Sequence, residues 1–330
     1  MKAEYLMQLT TYEEGMDVDD YYYSEKLDGL RLFWDGGVSR GHKKSSIPWA
    51  DCWKDKKDYE CTGLWSRLGN VVHAPDAWLD GLPVGVLLDG EGYNGVRERQ
   101  ALLSCLASET PDTRLWADVS LFAFDTVPWR AFCATRSVVY KDYCFHIVES
   151  KCTPWFKDCF DMPAHTPLRD RLHVLKANLG GNVMEVVQHR GGDYKGFYDS
   201  VISKGGEGVV FRHPASNWIG ARPKNCIKMK GRKDSEAVVV GWLAGRDRLL
   251  GRVGALVVRE GDIEFCLSGF TDQERESLDP EWCSLHPGEA CPESAGAVMF
   301  PLGTVVTYTY WGRTNRGAPC EAAYLRERRD

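Results

Sequence analysis

A lysine, an aspartate, a glycine and an arginine stand within six positions of one another in the stretch SEKLDGLRLFWDGG. They are Lys26, Asp28, Gly29 and Arg31, and apolar residues alternate with polar ones around them. This alternation predicts the edge of a β-strand with the glycine in a turn. A lysine placed among charged groups can become a nucleophile, although a solvated turn would have the same composition. The K-x-D-G pattern alone is weak, since about one chain in ten of this length would contain it by chance.

Further charged motifs follow, each of them ordinary when taken alone. LLDGEGY contains Glu91, GGEGVV contains Glu207, and CIKMK contains Lys228 and Lys230. Strand alternation places the two lysines on one face, as a phosphate site requires, and a solvated strand would look the same. Carboxylates beside glycines suit a site where the backbone approaches a ligand closely.

The order of these motifs is far more specific than any one of them. The series is EKLDGLR, SRLGN, LDGEG, FAFD, GEGVVFR and IKMKGRKDSEAVVVGW. It resembles the covalent nucleotidyltransferases over nearly the whole chain, and most closely the small ATP-dependent DNA ligases of phages and bacteria. The resemblance implies sealing of nicks between a 3′-hydroxyl and a 5′-phosphate in duplex DNA, through a covalent lysyl-AMP and a DNA-adenylate.

The elements that must position these residues fall into two parts. Strand-like and helical runs alternate in the first part, which predicts a mixed α+β domain over residues 1–232. Short strands at close spacing over residues 233–330 predict a small β-barrel. The charged stretch KGRKDSE between them suits a hinge. The resemblance implies an adenylyltransferase domain with antiparallel sheets and helices, followed by an oligonucleotide-binding (OB) fold.

The catalytic assignment rests on the chemistry of a lysine nucleophile. An unperturbed amine with a pKa of about 10.4 is almost fully protonated at neutral pH, so neighbouring cations must favour loss of its proton. Lys26 is the expected nucleophile, and Lys228, Lys230 and Arg31 can exert this effect while holding phosphates. Asp28 shapes the metal and phosphate site.

A divalent metal is expected because phosphoryl transfer needs its charge, and Mg²⁺ (or Mn²⁺) prefers a few carboxylates with retained waters. Asp28 and Glu207 are its expected ligands, directly or through water. Glu91 can contact either the metal or the ribose hydroxyls.

Further nucleotide contacts follow from the resemblance. It implies that Arg67 holds the ribose and phosphate and later the nicked strand, and that Phe124 stacks on adenine. Arg326 and Arg328 best match the residues that orient pyrophosphate, although a charged tail would look the same. The family has Leu and an aromatic after DGE, whereas Gly92 and Tyr93 follow here, which changes what packs behind the site.

DNA contacts are expected from a local basic excess, although the formal net charge is −6. Residues 204–260 contain twelve Lys or Arg and five Asp or Glu. Backbone contacts there would give sequence-independent, salt-sensitive binding. The expected contacts, besides Arg67, are basic side chains of the segment 222–252, namely Arg222, Lys224, Arg232, Lys233, Arg246, Arg248 and Arg252.

Composition limits the other classes. The chain of 330 residues is 43% hydrophobic and 27% charged, and it has neither an apolar run that could span a bilayer nor a signal-peptide pattern at its first residues. A cytoplasmic monomer, in the host cytoplasm if the source is a phage, is the expectation. The twelve cysteines lack C-x-x-C spacing, which favours reduced thiols over a zinc site. Residues 41–63 are interpreted as an exposed insertion, a solvated loop rather than a DNA contact.

Three alternatives stay open. An RNA ligase and an mRNA-capping guanylyltransferase share K-x-D-G, the downstream glutamate and the two-lysine strand. A nucleic-acid-binding protein with an unreactive pocket belongs to another class, and the complete set of reactive residue types argues against it. Too few residues precede Lys26 for a module that recognises nicotinamide mononucleotide, so ATP is the expected cofactor.

Overall fold

The computed structural model describes residues 6–50, 57–95, 99–134, 139–140, 143–144, 149–314 and 316–327. The chain divides into two compact units, residues 1–229 and 230–330. This division lies close to the predicted boundary between residues 232 and 233. Among the described residues, no helix is long and apolar enough to cross a membrane.

The first unit is built from short strands and helices. Its strands are β1 (Thr10–Thr11), β2 (Tyr22–Glu25), β3 (Leu30–Asp35), β4 (Leu64–Ser66), β5 (Leu87–Tyr93), β6 (Ser120–Thr126), β7 (Val139–Tyr140), β8 (Tyr143–Cys144), β9 (Val183–Glu185), β10 (His189–Arg190), β11 (Gly208–Arg212) and β12 (Cys226–Lys230), the last ending in the next unit. Its helices are α1 (Asp76–Leu79), α2 (Arg99–Leu106), α3 (Thr113–Trp116), α4 (Trp129–Cys133), α5 (Glu149–Phe156), α6 (Leu168–Lys176) and α7 (Tyr194–Ser203).

Two mixed, largely antiparallel five-stranded sheets organise this unit. The first has the strand order β1-β12-β11-β2-β10, and the second has the order β4-β3-β5-β6-β9. The second sheet is apolar on both faces, because alternation along β3 sends Leu32 and Trp34 into one buried cluster and Phe33 into another. Helix α6 belongs to the first of these clusters, with Leu168 and Leu172 buried one turn apart.

The interpretation of residues 41–63 as an exposed insertion is wrong for the part that the structure describes. Ile47, Trp49 and Cys61 are buried in the same cluster as Phe33, and only residues 51–56 lie outside the description. Tyr59 also hydrogen-bonds Glu109 at 2.6 Å. The many charged residues of this segment led to the prediction of a solvated loop. Burial of a few apolar side chains is nevertheless enough to hold a loop against a core.

The second unit is a β-structure with one α-helix among its described residues. Its strands are β13 (Lys233–Ala244), β14 (Val253–Glu260), β15 (Ile263–Leu267), β16 (Val305–Tyr310), β17 (Gly312–Arg313), β18 (Pro319–Cys320) and β19 (Ala323–Glu327), and its helix is α8 (Pro280–Leu285).

A five-stranded sheet in the order β15-β14-β13-β16-β19 forms the body of the second unit. A parallel bridge between Ser268 and Ala323 joins its two edge strands, so the sheet closes on itself. Inward-facing Val239, Leu256 and Tyr308 fill the interior. The predicted small barrel is therefore present, and closure leaves little free strand edge.

Candidate active site

Backbone pairing brings Lys26 and Glu207 together although 181 positions separate them. Strand β2 runs antiparallel to β11 with Glu25 opposite Val209, and the Lys26 amide donates a 2.8 Å hydrogen bond to the Gly208 carbonyl. The two side chains follow from this register, and Lys26 Nζ donates a hydrogen bond to Glu207 Oε2. Both side chains are about one-fifth exposed, at 21% and 17%. The site therefore opens to solvent at the predicted nucleophile.

Glu91 reaches the same site from the second sheet. It lies opposite Arg31 in the pairing of β5 with β3. A Cβ atom on Gly29 would lie 2.3 Å from the Gly92 carbonyl oxygen and 2.7 Å from Glu91 Cγ. A glycine is thus required at position 29 because its backbone lies so close to the neighbouring strand. The sequence had suggested a different reason, close approach of the backbone to a ligand. Asp28 lies half-buried in the same turn.

The pKa of Glu91 is shifted by its burial and by the charged side chains around it. Burial raises the pKa of Glu91 to about 7, while Lys26 and Arg31 oppose the rise and Glu207 adds to it. Asp89 also raises it, and each of these partners acts through its charge, so one cluster contains three carboxylates and two cations. The carboxylate of Glu91 is poised to change its protonation state when the charges around it change.

Arg31 is committed to a partner within the protein. Its Nε donates to Asp89 Oδ1 at 2.8 Å, and its Nη2 donates to Asp89 Oδ2 at 2.5 Å. Asp89 is fully buried, and burial raises its pKa while Arg31 opposes this rise. The Arg31 guanidinium also lies 5.1 Å from the centre of the Phe124 ring. Contact of Arg31 with a nucleotide stays a prediction, and its observed role is to hold Asp89 and cover Phe124.

A second buried charge network lies beside the first. Asp125 is opposite Asp89 in the pairing of β5 with β6, and it accepts two hydrogen bonds from Arg171 at 2.7 and 2.8 Å. Arg212, the last residue of β11, is 3.4 Å from the same carboxylate through Nη1. Arg212 is 3% exposed, and its guanidinium lies 5.6 Å from the centre of the Phe124 ring. These charges link β6, α6 and β11.

Sequence reasoning assigned no role to Arg171 and Arg212 and left Asp125 within the FAFD motif. Asp125 and Arg212 were visible as the last residues of FAFD and GEGVVFR. Their burial was the missing information, since charged residues at strand ends are exposed in most proteins. Arg171 lies in LRDRL, an amphipathic helix pattern that gives no signal for a buried arginine.

The other predicted nucleotide contacts lie on different elements. Lys228 is on β12, half-buried and opposite Thr11 of β1. Arg67 is exposed directly after β4, whose last residue Ser66 is opposite Leu32. Lys230, at the start of the second unit, has its Nζ 5.4 Å from the centre of the Trp311 ring.

The predicted metal ligands do not form a ready-made binding group. Within the described part of the chain, no cluster of three or more His, Cys, Asp or Glu side chains has a metal-binding arrangement. Mg²⁺ is usually held by one or two carboxylates together with substrate phosphates and water, so the oxygen donors of Glu207 and Glu91 fit such a site. Burial is the main cause of the raised pKa of Glu91 and repulsion by Glu207 adds to it, and a divalent cation would relieve that repulsion.

Comparison with known proteins finds similarity to DNA ligases. A DNA ligase of Haemophilus influenzae is 24% identical to this chain over 325 residues, which cover 98% of this chain and 92% of that enzyme. The chain is thus similar to a DNA ligase along nearly its whole length. The family model of the DNA ligase OB-like domain matches residues 244–328, within the barrel of the second unit. The predicted fold class, an α+β domain followed by an OB-fold barrel, is therefore confirmed.

Solved structures agree on the fold. A structure from a study of Lig E DNA ligases, described as DNA binding with a minimal scaffold, has a TM-score of 0.64 and 23% identity, covering 98% of both chains. Another, described as Pmar-Lig_Pre., has a TM-score of 0.62 and 17% identity, covering 98% of this chain and 67% of that one. The similarity in fold spans both units of the chain.

The predicted DNA contacts differ in their surroundings. Arg222 and Lys224 are exposed before β12, and Lys233, Arg246 and Arg248 are exposed in the second unit.

Arg232 lies 4.6 Å from the centre of the Trp311 ring and donates to Thr309 Oγ1, and Arg252 forms an ion pair with Asp272 at 2.9 Å. Arg326 is exposed on β19, and Arg328 lies outside the described residues. Their roles toward DNA and pyrophosphate stay predictions.

Proposed function

We propose that this protein is an ATP-dependent DNA ligase that seals nicks between a 3′-hydroxyl and a 5′-phosphate, with Lys26 as its nucleophile. The observation that carries the proposal is the convergence of Lys26, Glu207 and Glu91 at one partly open site. The order of motifs predicted this group from positions far apart in sequence. Full-length similarity to a DNA ligase supports the class of reaction.

The first step joins AMP to the enzyme. Lys26 Nζ, freed of a proton and of its contact with Glu207, attacks the α-phosphorus of ATP. A phosphorus–nitrogen bond forms, the bond to the β-phosphate oxygen breaks, and pyrophosphate leaves with that electron pair. The proton of Lys26 passes to solvent, which reaches this side chain because it is 21% exposed.

The next two steps return the lysine and join the strands. An oxygen of the 5′-phosphate attacks the AMP phosphorus, and the phosphorus–nitrogen bond breaks to release Lys26. The 3′-hydroxyl oxygen then attacks the 5′-phosphorus, the bond from that phosphorus to the AMP oxygen breaks, AMP leaves with the electron pair, and the hydroxyl proton passes to solvent. Phe124 offers an aromatic face for adenine, and Lys228 offers charge to the phosphates.

The finer parts of the proposal concern partners and location. Mg²⁺ (or Mn²⁺) held by Glu207, Glu91 and Asp28 would supply charge neutralisation at the phosphates. The DNA partner is a nicked duplex held through its backbone by the basic side chains of residues 222–252. The active form is a cytoplasmic monomer.

The test uses α-labelled ATP with Mg²⁺ and then a nicked duplex. The wild type should acquire a covalent AMP label and seal the nick, and Lys26→Ala should do neither. Lys195→Ala, a change of an exposed lysine on α7, is the matched control and should behave as wild type. A labelled Lys26→Ala protein would disprove the nucleophile, and an unlabelled wild type would disprove the enzyme.

Two further arms separate the alternatives. Labelling by α-labelled GTP in preference to ATP would indicate a capping guanylyltransferase. Sealing only when RNA supplies the 3′-hydroxyl would indicate an RNA ligase.

A further inference from the structure

Two guanidinium groups lie near the ring of Phe124, and they differ in how many of their N–H donors have hydrogen-bond partners. Arg31 makes two short hydrogen bonds to Asp89. Arg212 makes one long contact, 3.4 Å from Nη1 to Asp125 Oδ2, because Arg171 already binds both oxygens of that carboxylate. Arg212 therefore lacks the bidentate partner that a buried arginine usually has.

The Nη2 group of Arg212 is buried and has no hydrogen-bond partner among the described residues. The side chain as a whole is 3% exposed. A buried donor on a charged group costs free energy when it is left unpaired, and such groups are rare in folded proteins. The orphan donor therefore calls for a partner that binds at this place.

The direction of Arg212 follows from strand alternation. Val209 and Phe211 on β11 point into an apolar cluster with Ile227. Val210 and Arg212 must point to the opposite face of the sheet, where the Arg212 guanidinium lies 5.6 Å from the Phe124 ring centre. The orphan donor is thus on the same side as the aromatic ring proposed to stack on the base.

We propose that Arg212 reads the nucleotide base, with Nη2 donating a hydrogen bond to an acceptor ring nitrogen of the adenine stacked on Phe124. This assignment rests on the proposed function and adds a specificity-determining residue to it. Adenine carries three ring nitrogens with free lone pairs, N1, N3 and N7. Guanine has a hydrogen on N1, so a donor aimed at that position would also discriminate against GTP.

The decisive experiment combines nucleotide analogues with protein variants and measures the transfer of AMP to Lys26. Apparent KM and kcat for AMP transfer are measured with ATP, 1-deaza-ATP, 3-deaza-ATP and 7-deaza-ATP. In the wild type, one analogue should have its kcat/KM reduced by about tenfold to a hundredfold, as expected for a charge-assisted hydrogen bond. In Arg212→Lys and Arg212→Met, ATP and that analogue should differ by less than about twofold.

The control is Arg130→Lys, at a half-exposed arginine paired with Asp161. This variant should retain the wild-type preference for ATP over the analogue. Equal kcat/KM for ATP and all three analogues in the wild type would overturn the assignment. An undiminished analogue penalty in both Arg212 variants would also overturn it, because Arg212 would then have only a structural role.

If neither Arg212 variant folds, nuclear magnetic resonance of the wild-type protein still tests the assignment. Guanidinium nitrogen spectra of ¹⁵N-arginine-labelled protein should show one buried arginine shifted by ATP and unshifted by the analogue with the lowest kcat/KM. Identical spectra with both nucleotides would overturn the assignment. A wild type that takes no AMP from ATP would instead disprove the proposed function itself.

Discussion

Arg31 and Asp89 form a two-bond ion pair between adjacent strands, with distances of 2.8 and 2.5 Å. Asp89 is fully buried and the Arg31 side chain is 15% exposed. The pair lies two residues along β5 from Glu91, so it fixes the strand that presents this carboxylate. Breaking it should therefore affect stability as well as the geometry of the site.

Removing one charge of the Arg31–Asp89 pair should lower the free energy of unfolding much more than replacing both residues by apolar ones. Asp89→Asn leaves the Arg31 charge buried, and we expect it to lower the free energy of unfolding by about 3–5 kcal/mol. The double variant Arg31→Met with Asp89→Leu should lose less than the sum of the single changes. Urea denaturation measures both.

Arg130→Ala is the comparison for this pair, since Arg130 and Asp161 are half exposed and should contribute less than about 1 kcal/mol. A loss below this value for Asp89→Asn would contradict the role given to the buried pair.

Asp35 should make stability depend on pH. It is fully buried and accepts hydrogen bonds from Ser39, Trp65 and Gly37, yet burial raises its pKa to about 6. Between the unfolded pKa of 3.8 and about 6, the folded state binds more protons than the unfolded state. The contribution of Asp35 to the free energy of unfolding is therefore fully present below its pKa in the unfolded state. It is lost as the pH rises through its pKa in the folded state.

The measurement compares Asp35→Asn with wild type by urea denaturation at several pH values. The stability advantage of wild type over the variant should shrink by about 2–3 kcal/mol between pH 4 and pH 7. Parallel stability curves for the two proteins would show that Asp35 does not titrate in this range.

Trp49 tests the correction to residues 41–63. It is 1% exposed, and its ring stacks on Phe156 with the centres 4.8 Å apart. Trp49→Ala should cost about 3–5 kcal/mol in the free energy of unfolding. Lys57→Ala changes a side chain that is 63% exposed in the same segment, and it should cost less than about 1 kcal/mol. Equal small losses would restore the interpretation as a solvated loop.

Salt dependence should separate the proposed DNA contacts. Lys224 is exposed before β12, whereas Arg252 is neutralised by Asp272. Lys224→Ala should lower the slope of log affinity against log salt by about 0.9, the value for one phosphate contact. Arg252→Ala should change the slope by less than half as much. Binding of a nicked duplex at several salt concentrations measures this, and a larger effect at Arg252 would contradict the expected order.

Local patterns were enough to predict most of the strands that carry the site. RLFWD and LLDGEGY became β3 and β5, and LRDRLHVLK became α6. Helix and strand periods are properties of neighbouring residues, so a sequence reports them directly. The order of motifs likewise predicted that Lys26 and Glu207 belong to one site.

By itself, the sequence determined the types of the reactive residues, their order and the two-part architecture. Tertiary structure alone decided their partners: it paired Arg31 with Asp89 and Asp125 with Arg171, and it left Arg212 Nη2 without a partner in the part of the chain that is described. It also decided that Trp49 belongs to the core. Charges and aromatics read the same in a sequence whether they are solvated or buried. Their roles depend on long-range contacts that remove water, and no local pattern encodes those.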